Sequence, residues 1–105
     1  MAQFDLYKNP SKNTRSTFPY ILDVQNTVIS DIATRIVVPL GHLESFQNER
    51  LTKLTPETEY GGKKLLILVP QIASIPSSLL KKPVGSLSHM RGEIIAALDF
   101  AITGI

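Results

Sequence analysis

The apolar residues of this chain change their spacing once, and that change limits the folds open to it. In the first three quarters they come in short runs: QFDLY (3–7), FPYILDV (18–24), RIVVPL (35–40), LLILV (65–69) and ASIP (73–76). Each run is bounded by Pro, Gly, Asn or charged residues. Such runs are too short for helices and read as strands. From Leu87 onward the period lengthens: Leu87, Met90, Ile94, Ala97 or Leu98, Ala101 and Ile105 recur at spacings of three and four, one face of an α-helix. The order predicts several antiparallel strands closed by one C-terminal helix.

The punctuation refines this reading. In 3–7, Phe4 and Leu6 share one face of a half-buried strand. The following KNPSKNTRST (8–17) has Pro10 and two Asn and reads as a surface loop. Pro19 places the second strand at a sheet edge or marks where that strand begins, because proline cannot donate to a ladder. Pro39 and Gly41 are expected to stop the third strand. Gly61-Gly62 predicts a hairpin, since a tight turn there needs positive φ, and its second arm LLILV is the most buried-looking strand. Residues 25–34 read as an irregular connection and 42–55 as a polar excursion with a helical turn. Ser86 or Ser88 is the expected cap of the helix, with Glu93 in its early part, where the dipole favours acid.

Composition excludes several classes. At 105 residues the chain is expected to form one domain (1–105), and its 43% apolar and 19% charged residues are those of an ordinary globular protein. A net charge of +2 with dispersed basic residues does not argue for nucleic acid, and the pairs Lys63-Lys64 and Lys81-Lys82 read as solvated surface. The absence of cysteine removes disulfides, thiolate metal sites and cysteine nucleophiles. The N-terminus MAQFDLYKN is not a signal peptide, and no apolar stretch approaches a membrane span. The expected location is the cytoplasm.

The helix carries more apolar residues than its stripe needs. Ile95 and Ile102 fall on one flank, and Phe100 lies nearly opposite the core, with the small residues Gly92 and Ala96 one and two turns before it. Self-association through Ile95 and Phe100 is one reading; a broad contact with the protein's own sheet is the other. The chain then ends in LDFAITGI, whose only charge besides the terminal carboxylate is Asp99. An apolar, charge-poor end suits a contact surface that costs little to desolvate.

No catalytic constellation stands out. His42 and His89 have no partners at metal-ligand spacing, Gly61-Gly62 is a turn rather than a phosphate loop, and nothing marks a cleft beside Glu57 and Glu59. Acid–base chemistry using Arg35, His42 or His89 stays open, because their spatial neighbours are not set by the sequence.

Several segments, in order and at suitable spacing, resemble the CcdB family of toxins from toxin–antitoxin modules: QFDLY (3–7), ILDVQ (21–25), RIVVPL (35–40), ASIP (73–76), LSH (87–89) and the terminal Gly104-Ile105. The resemblance covers nearly the whole chain. It implies a homodimer with an SH3-like antiparallel β-barrel and one C-terminal helix. It implies no catalysed reaction and no cofactor or metal. The function it implies is binding to the A subunit of DNA gyrase and trapping of the gyrase–DNA cleavage complex, neutralised by a CcdA-like antitoxin whose disordered segment folds on binding. Sequence-specific contact with nucleic acid and contact with membrane are not implied.

Carried over by position, the implied gyrase-binding residues are Val28, Ile29, Asp99, Ile102, Thr103, Gly104 and Ile105, with Gly104 letting the chain turn where a side chain cannot fit. The best-known member has Asn in place of Asp99, Phe in place of Ile102, and Trp in place of Thr103, a departure because that ring stacks on an arginine of gyrase. The implied antitoxin-binding residues are Lys8, Lys12, Arg15 and Arg91. Two alternatives remain: a messenger-RNA endonuclease toxin of the same fold, using Arg35 with His42, and a non-toxic homologue that only binds antitoxin.

Overall fold

The computed structural model describes residues 2–26, 32–51 and 53–104; the candidate residues Val28, Ile29 and Ile105 lie outside them. The described chain is mainly β, a curled antiparallel half-barrel with one C-terminal helix. Its strands are β1 (Asp5–Lys8), β2 (Tyr20–Asp23), β3 (Thr34–His42), β4 (Glu57–Tyr60), β5 (Lys63–Ile67), β6 (Ala73–Pro76) and β7 (Gly85–Ser86), followed by helix α1 (Arg91–Thr103). The sheet runs β4-β5-β3-β2-β1-β7, and β6 also pairs with β3.

β3 organises the sheet. One of its edges pairs with β2 over Val37–Leu40; the other is shared, with β6 along Thr34–Val37 and β5 along Leu40–His42. This explains why Pro39 does not end the strand, as expected from sequence. The Pro39 carbonyl accepts from Leu68 N–H at 2.9 Å, on the edge away from β2. The missing proline N–H would point the same way, into the gap where β3 passes from β6 to β5, so no bond to β2 is lost. Pro19 likewise marks a strand's beginning rather than a sheet edge, since β2 lies between β1 and β3.

Alternation buries both faces of the sheet. Leu6, Leu22, Val38, Leu40, Leu65 and Ile67 face inward and form the main core with Phe4, Val69, Leu87, Met90, Ile94 and Ala97. The opposite parity builds two smaller clusters: Tyr7, Ile21, Val37 and Leu80 beside Ile75, and Phe46, Leu66 and Leu68 beside Phe18 and Leu43. The same outer face buries an ion pair. Arg35 donates through Nε and Nη2 to Asp23 Oδ2, at 3.0 and 2.7 Å, with the two side chains 2% and 0% exposed. Asp23 Oδ1 also accepts from Gln25 N–H, while Gln25 Oε1 accepts from Ile36 N–H.

Phe4 and Leu6 share the main core as expected, but the first strand begins only at Asp5. Phe4 sits in a turn with φ +70, unusual for an aromatic residue, held by its burial and by its N–H bond to the Asp23 carbonyl. The Gly61-Gly62 hairpin is present, with φ +61 and +77. Across the mouth of the half-barrel, the Tyr60 hydroxyl of β4 donates to the Val84 carbonyl beside β7, and its ring meets Tyr20 edge-on at 5.2 Å. β7 itself is two residues long and paired with β1, too short to read from sequence.

A 3-10 turn (Ser88–Met90) leads into α1, so the helix starts later than its apolar stripe. Neither serine caps α1; the Ser86 hydroxyl instead accepts from Ser88 N–H at 3.2 Å, before the turn. Within α1 only Ile94 and Ala97 are buried, with Ile95 and Leu98 at the margin of the core. The expected stripe fails at Ala101, which is exposed. Beyond Leu98 the helix overhangs its own core.

Candidate functional site

That overhang gathers the residues singled out at the C-terminus. Asp99, Ala101, Ile102, Thr103 and Gly104 are all exposed, and Ile102, at 73%, is the most exposed large apolar side chain among the described residues. The turn is nonetheless ordered by its own bonds. The Thr103 hydroxyl donates to the Asp99 carbonyl at 2.6 Å, and Gly104 N–H donates to the Phe100 carbonyl at 3.0 Å. Gly104 adopts the left-handed C-terminal conformation, φ +75. Within the single chain a Cβ there would meet nothing within 4 Å, so it is the backbone angle that calls for glycine here.

Electrostatics also marks this end. The last turn of α1 holds no basic residue, and Asp99 just before it sets a carboxylate near the negative end of the helix dipole. Phe100 is half-buried on another side of the helix, where the Lys53 ammonium lies 5.6 Å from its ring centroid. Of the two candidate self-association residues, therefore, Ile95 packs on the main core and Phe100 beneath a lysine, while Gly92 and Ala96 are exposed.

The residues picked for antitoxin divide. Lys8 and Arg15 line one groove at the end of β1; Lys12 and Arg91 are exposed but do not line it. The 8–17 loop is tied down more firmly than its composition suggests. Buried Asn9 donates to the Thr14 hydroxyl and the Phe18 carbonyl, accepts from Ser11 N–H, and its carbonyl accepts from Arg15 Nε at 2.8 Å. A single Asn in a polar run gave no sign of this role.

Arg35 and His42 do not converge. They sit near opposite ends of β3, roughly 20 Å apart at the rise of a strand. Arg35 is spent on Asp23, and His42 lines a separate open groove of about 440 Å³ with Glu44, Gln47, Lys63 and Lys64. Glu57 pairs with Arg50 at 2.5 Å on the surface, and His89 is exposed in the turn before α1. Among the described residues no group of three or more His, Asp or Glu could hold a metal, and no helix is long and apolar enough to cross a membrane.

The family model described as CcdB protein matches residues 3–104, nearly the whole chain. The chain belongs to the CcdB family. It is thereby a member of a family of toxins from toxin–antitoxin modules, and its half-barrel with one C-terminal helix is consistent with the fold of that family. The match extends through Gly104, so the overhanging end of α1 lies within the family's own span rather than in an added tail.

Proposed function

We propose that this protein is a CcdB-type toxin that binds the A subunit of DNA gyrase in the cytoplasm and traps the gyrase–DNA cleavage complex, without catalysing a reaction itself. The observation that carries this reading is the overhang of α1: a helix end closed by its own hydrogen bonds, with Ile102 presented to solvent. An exposed apolar side chain on a pre-ordered turn loses little conformational entropy on docking and gains its full burial. Asp99, Ile102, Thr103 and Gly104 form the described part of the contact; Val28, Ile29 and Ile105 complete it by family position. Thr103 makes its hydroxyl bond to the backbone where the best-known member offers an aromatic ring, so Ile102 takes the larger share of the contact. A homodimer presents two such ends, and a CcdA-like antitoxin holds the toxin inactive.

The test is trapping of cleaved DNA by purified gyrase with the protein, with Ile102→Asp, with Thr103→Trp and with a variant lacking residues 103–105. Trapping is expected from the protein and more strongly from Thr103→Trp, and is lost in Ile102→Asp and in the truncated form. Undiminished trapping by both of these would move the contact elsewhere. Trapping by Thr103→Trp alone would make the protein an inactive member that only binds antitoxin. The messenger-RNA endonuclease reading gains no observation, since its Arg35–His42 pair is separated and Arg35 is neutralised.

A further inference from the structure

Lys53 lies in the stretch 42–55 that reads in the sequence as a polar excursion, and the proposed contact makes no use of it. The fold lays the end of that stretch along α1. Arg50, Thr55, Pro56 and Glu57 line one groove with Glu93, in the first turn of the helix. Seven residues on, two turns further along the same face, Phe100 lies beneath the Lys53 ammonium, 5.6 Å from its ring centroid. The described part of 50–57 thus runs beside α1 from its first turn to its last. The segment is tied at its base and within itself. Arg50 pairs with Glu57 of β4. The Leu51 carbonyl accepts from Leu54 N–H at 2.9 Å, from Thr55 N–H at 2.8 Å and from the Thr55 hydroxyl at 2.9 Å. That hydroxyl also accepts from Leu51 N–H at 2.8 Å, and Thr55 is buried. Lys53 is therefore presented from a closed turn.

The receiving end of the helix lacks what Lys53 brings. Its last turn has no basic residue, and its C-terminal carbonyls carry partial negative charge. An ammonium over Phe100 places a cation near that charge and is attracted by the face of the ring as well. The Phe100 carbonyl also accepts the Gly104 N–H that closes the helix. Holding Phe100 therefore holds the residue on which the exposed turn is built. We propose that residues 50–57 form a strap along α1 and that Lys53 is a positioning residue. By holding Phe100 it keeps Ile102 and Gly104 in the arrangement they present to a partner. Its consequence for binding rests on the gyrase reading above; the strap itself does not.

The test has two readouts: amide hydrogen exchange along α1 in the free protein, and affinity for the gyrase A subunit. Both are measured for the protein, Lys53→Met, Lys53→Arg, Thr55→Val and a control, Lys63→Met. Lys53→Met is expected to speed exchange at Ile102, Thr103 and Gly104 by about two- to fivefold and to weaken gyrase binding by a similar factor. Exchange at Ile94 and Ala97 should stay as it is, which separates a loosened helix end from a general loss of stability. Lys53→Arg, which keeps the cation, should restore both readouts, and Lys63→Met should change neither. Thr55→Val should speed exchange at the helix end as Lys53→Met does, although the ammonium remains; if that variant is unfolded, the Lys53 pair decides alone. Unchanged exchange at the helix end in Lys53→Met would overturn the strap, whatever gyrase does. Faster exchange with undiminished gyrase binding would overturn the positioning role and leave the gyrase reading standing. No gyrase binding by the protein itself would remove that reading, and exchange alone would then judge the strap.

Discussion

Arg35 and Asp23 are buried as a pair, and burial makes their loss asymmetric. Removing one partner leaves the other charge without compensation in a site closed to water, whereas replacing both with apolar residues removes the desolvation cost too. Arg35→Met is therefore expected to cost about 3–5 kcal/mol in urea unfolding, and Asp23→Leu/Arg35→Met to regain much of that. Equal losses in the single and double variants would mean that the pair is worth more than its desolvation. Tyr7, beside this pair, has its phenol pKa raised above 10.0, first by burial, then by Asp5 and Asp23, with Arg35 opposing. The folded state therefore holds the proton longer than the unfolded chain does. Its contribution is fully present below pH 10.0 and is lost as pH rises through the raised pKa. Stability curves against pH should fall less steeply in the alkaline range for Tyr7→Phe; parallel curves would show that the phenol does not couple to folding.

Tyr60 joins the β4–β5 hairpin to Val84, the residue before the short strand β7, and Gly85 makes room for that ring. A Cβ at Gly85 would stand 2.6 Å from a Tyr60 ring carbon, closer than any tolerated contact. Gly85→Ala should cost about 1–3 kcal/mol through overpacking, and Tyr60→Ala in the same chain should make the alanine at 85 nearly neutral. Additive losses in the double variant would place the effect of Gly85 in its own backbone. The helix is a contrasting element. Its first half is fixed by Ile94 and Ala97 in the core, while its last turn answers to its own hydrogen bonds. Ile102→Asp should change unfolding stability by no more than about 0.5 kcal/mol, since little is buried there, although it is expected to abolish trapping. A large loss of stability would mean that Ile102 packs against the protein itself in solution.

At the scale of the whole molecule, the spare apolar residues of α1 bear on the proposed self-association. Phe100 is half-buried under Lys53 within the single chain, with part of its ring left for another copy. Phe100→Asp is expected to shift the sedimenting species from dimer to monomer; an unchanged dimer would assign Phe100 to the contact with Lys53 only.

Local patterns carried much of this into view. The alternation in 3–7, the Gly-Gly turn and the three-and-four spacing after Leu87 are short-range rules, and each produced the element it announced. The lack of charge at the helix end was legible in composition, but its exposure was not, because the spacing carries the stripe on through Ala101, which the fold leaves in solvent. Other features depended on residues far apart in the chain. Pro39 is harmless inside β3 only because two different strands share that edge, Arg35 is silenced only because β2 brings Asp23 diagonally across from it, opposite Val37, and Lys81-Lys82 joins Lys8 and Arg15 in a groove only because the turn at Ser77–Leu79 returns it to β1. Spacing along a chain encodes which face a side chain takes within its own element. Which charge, ring or carbonyl stands opposite is settled by strand pairing, and that exists only once the sheet has closed.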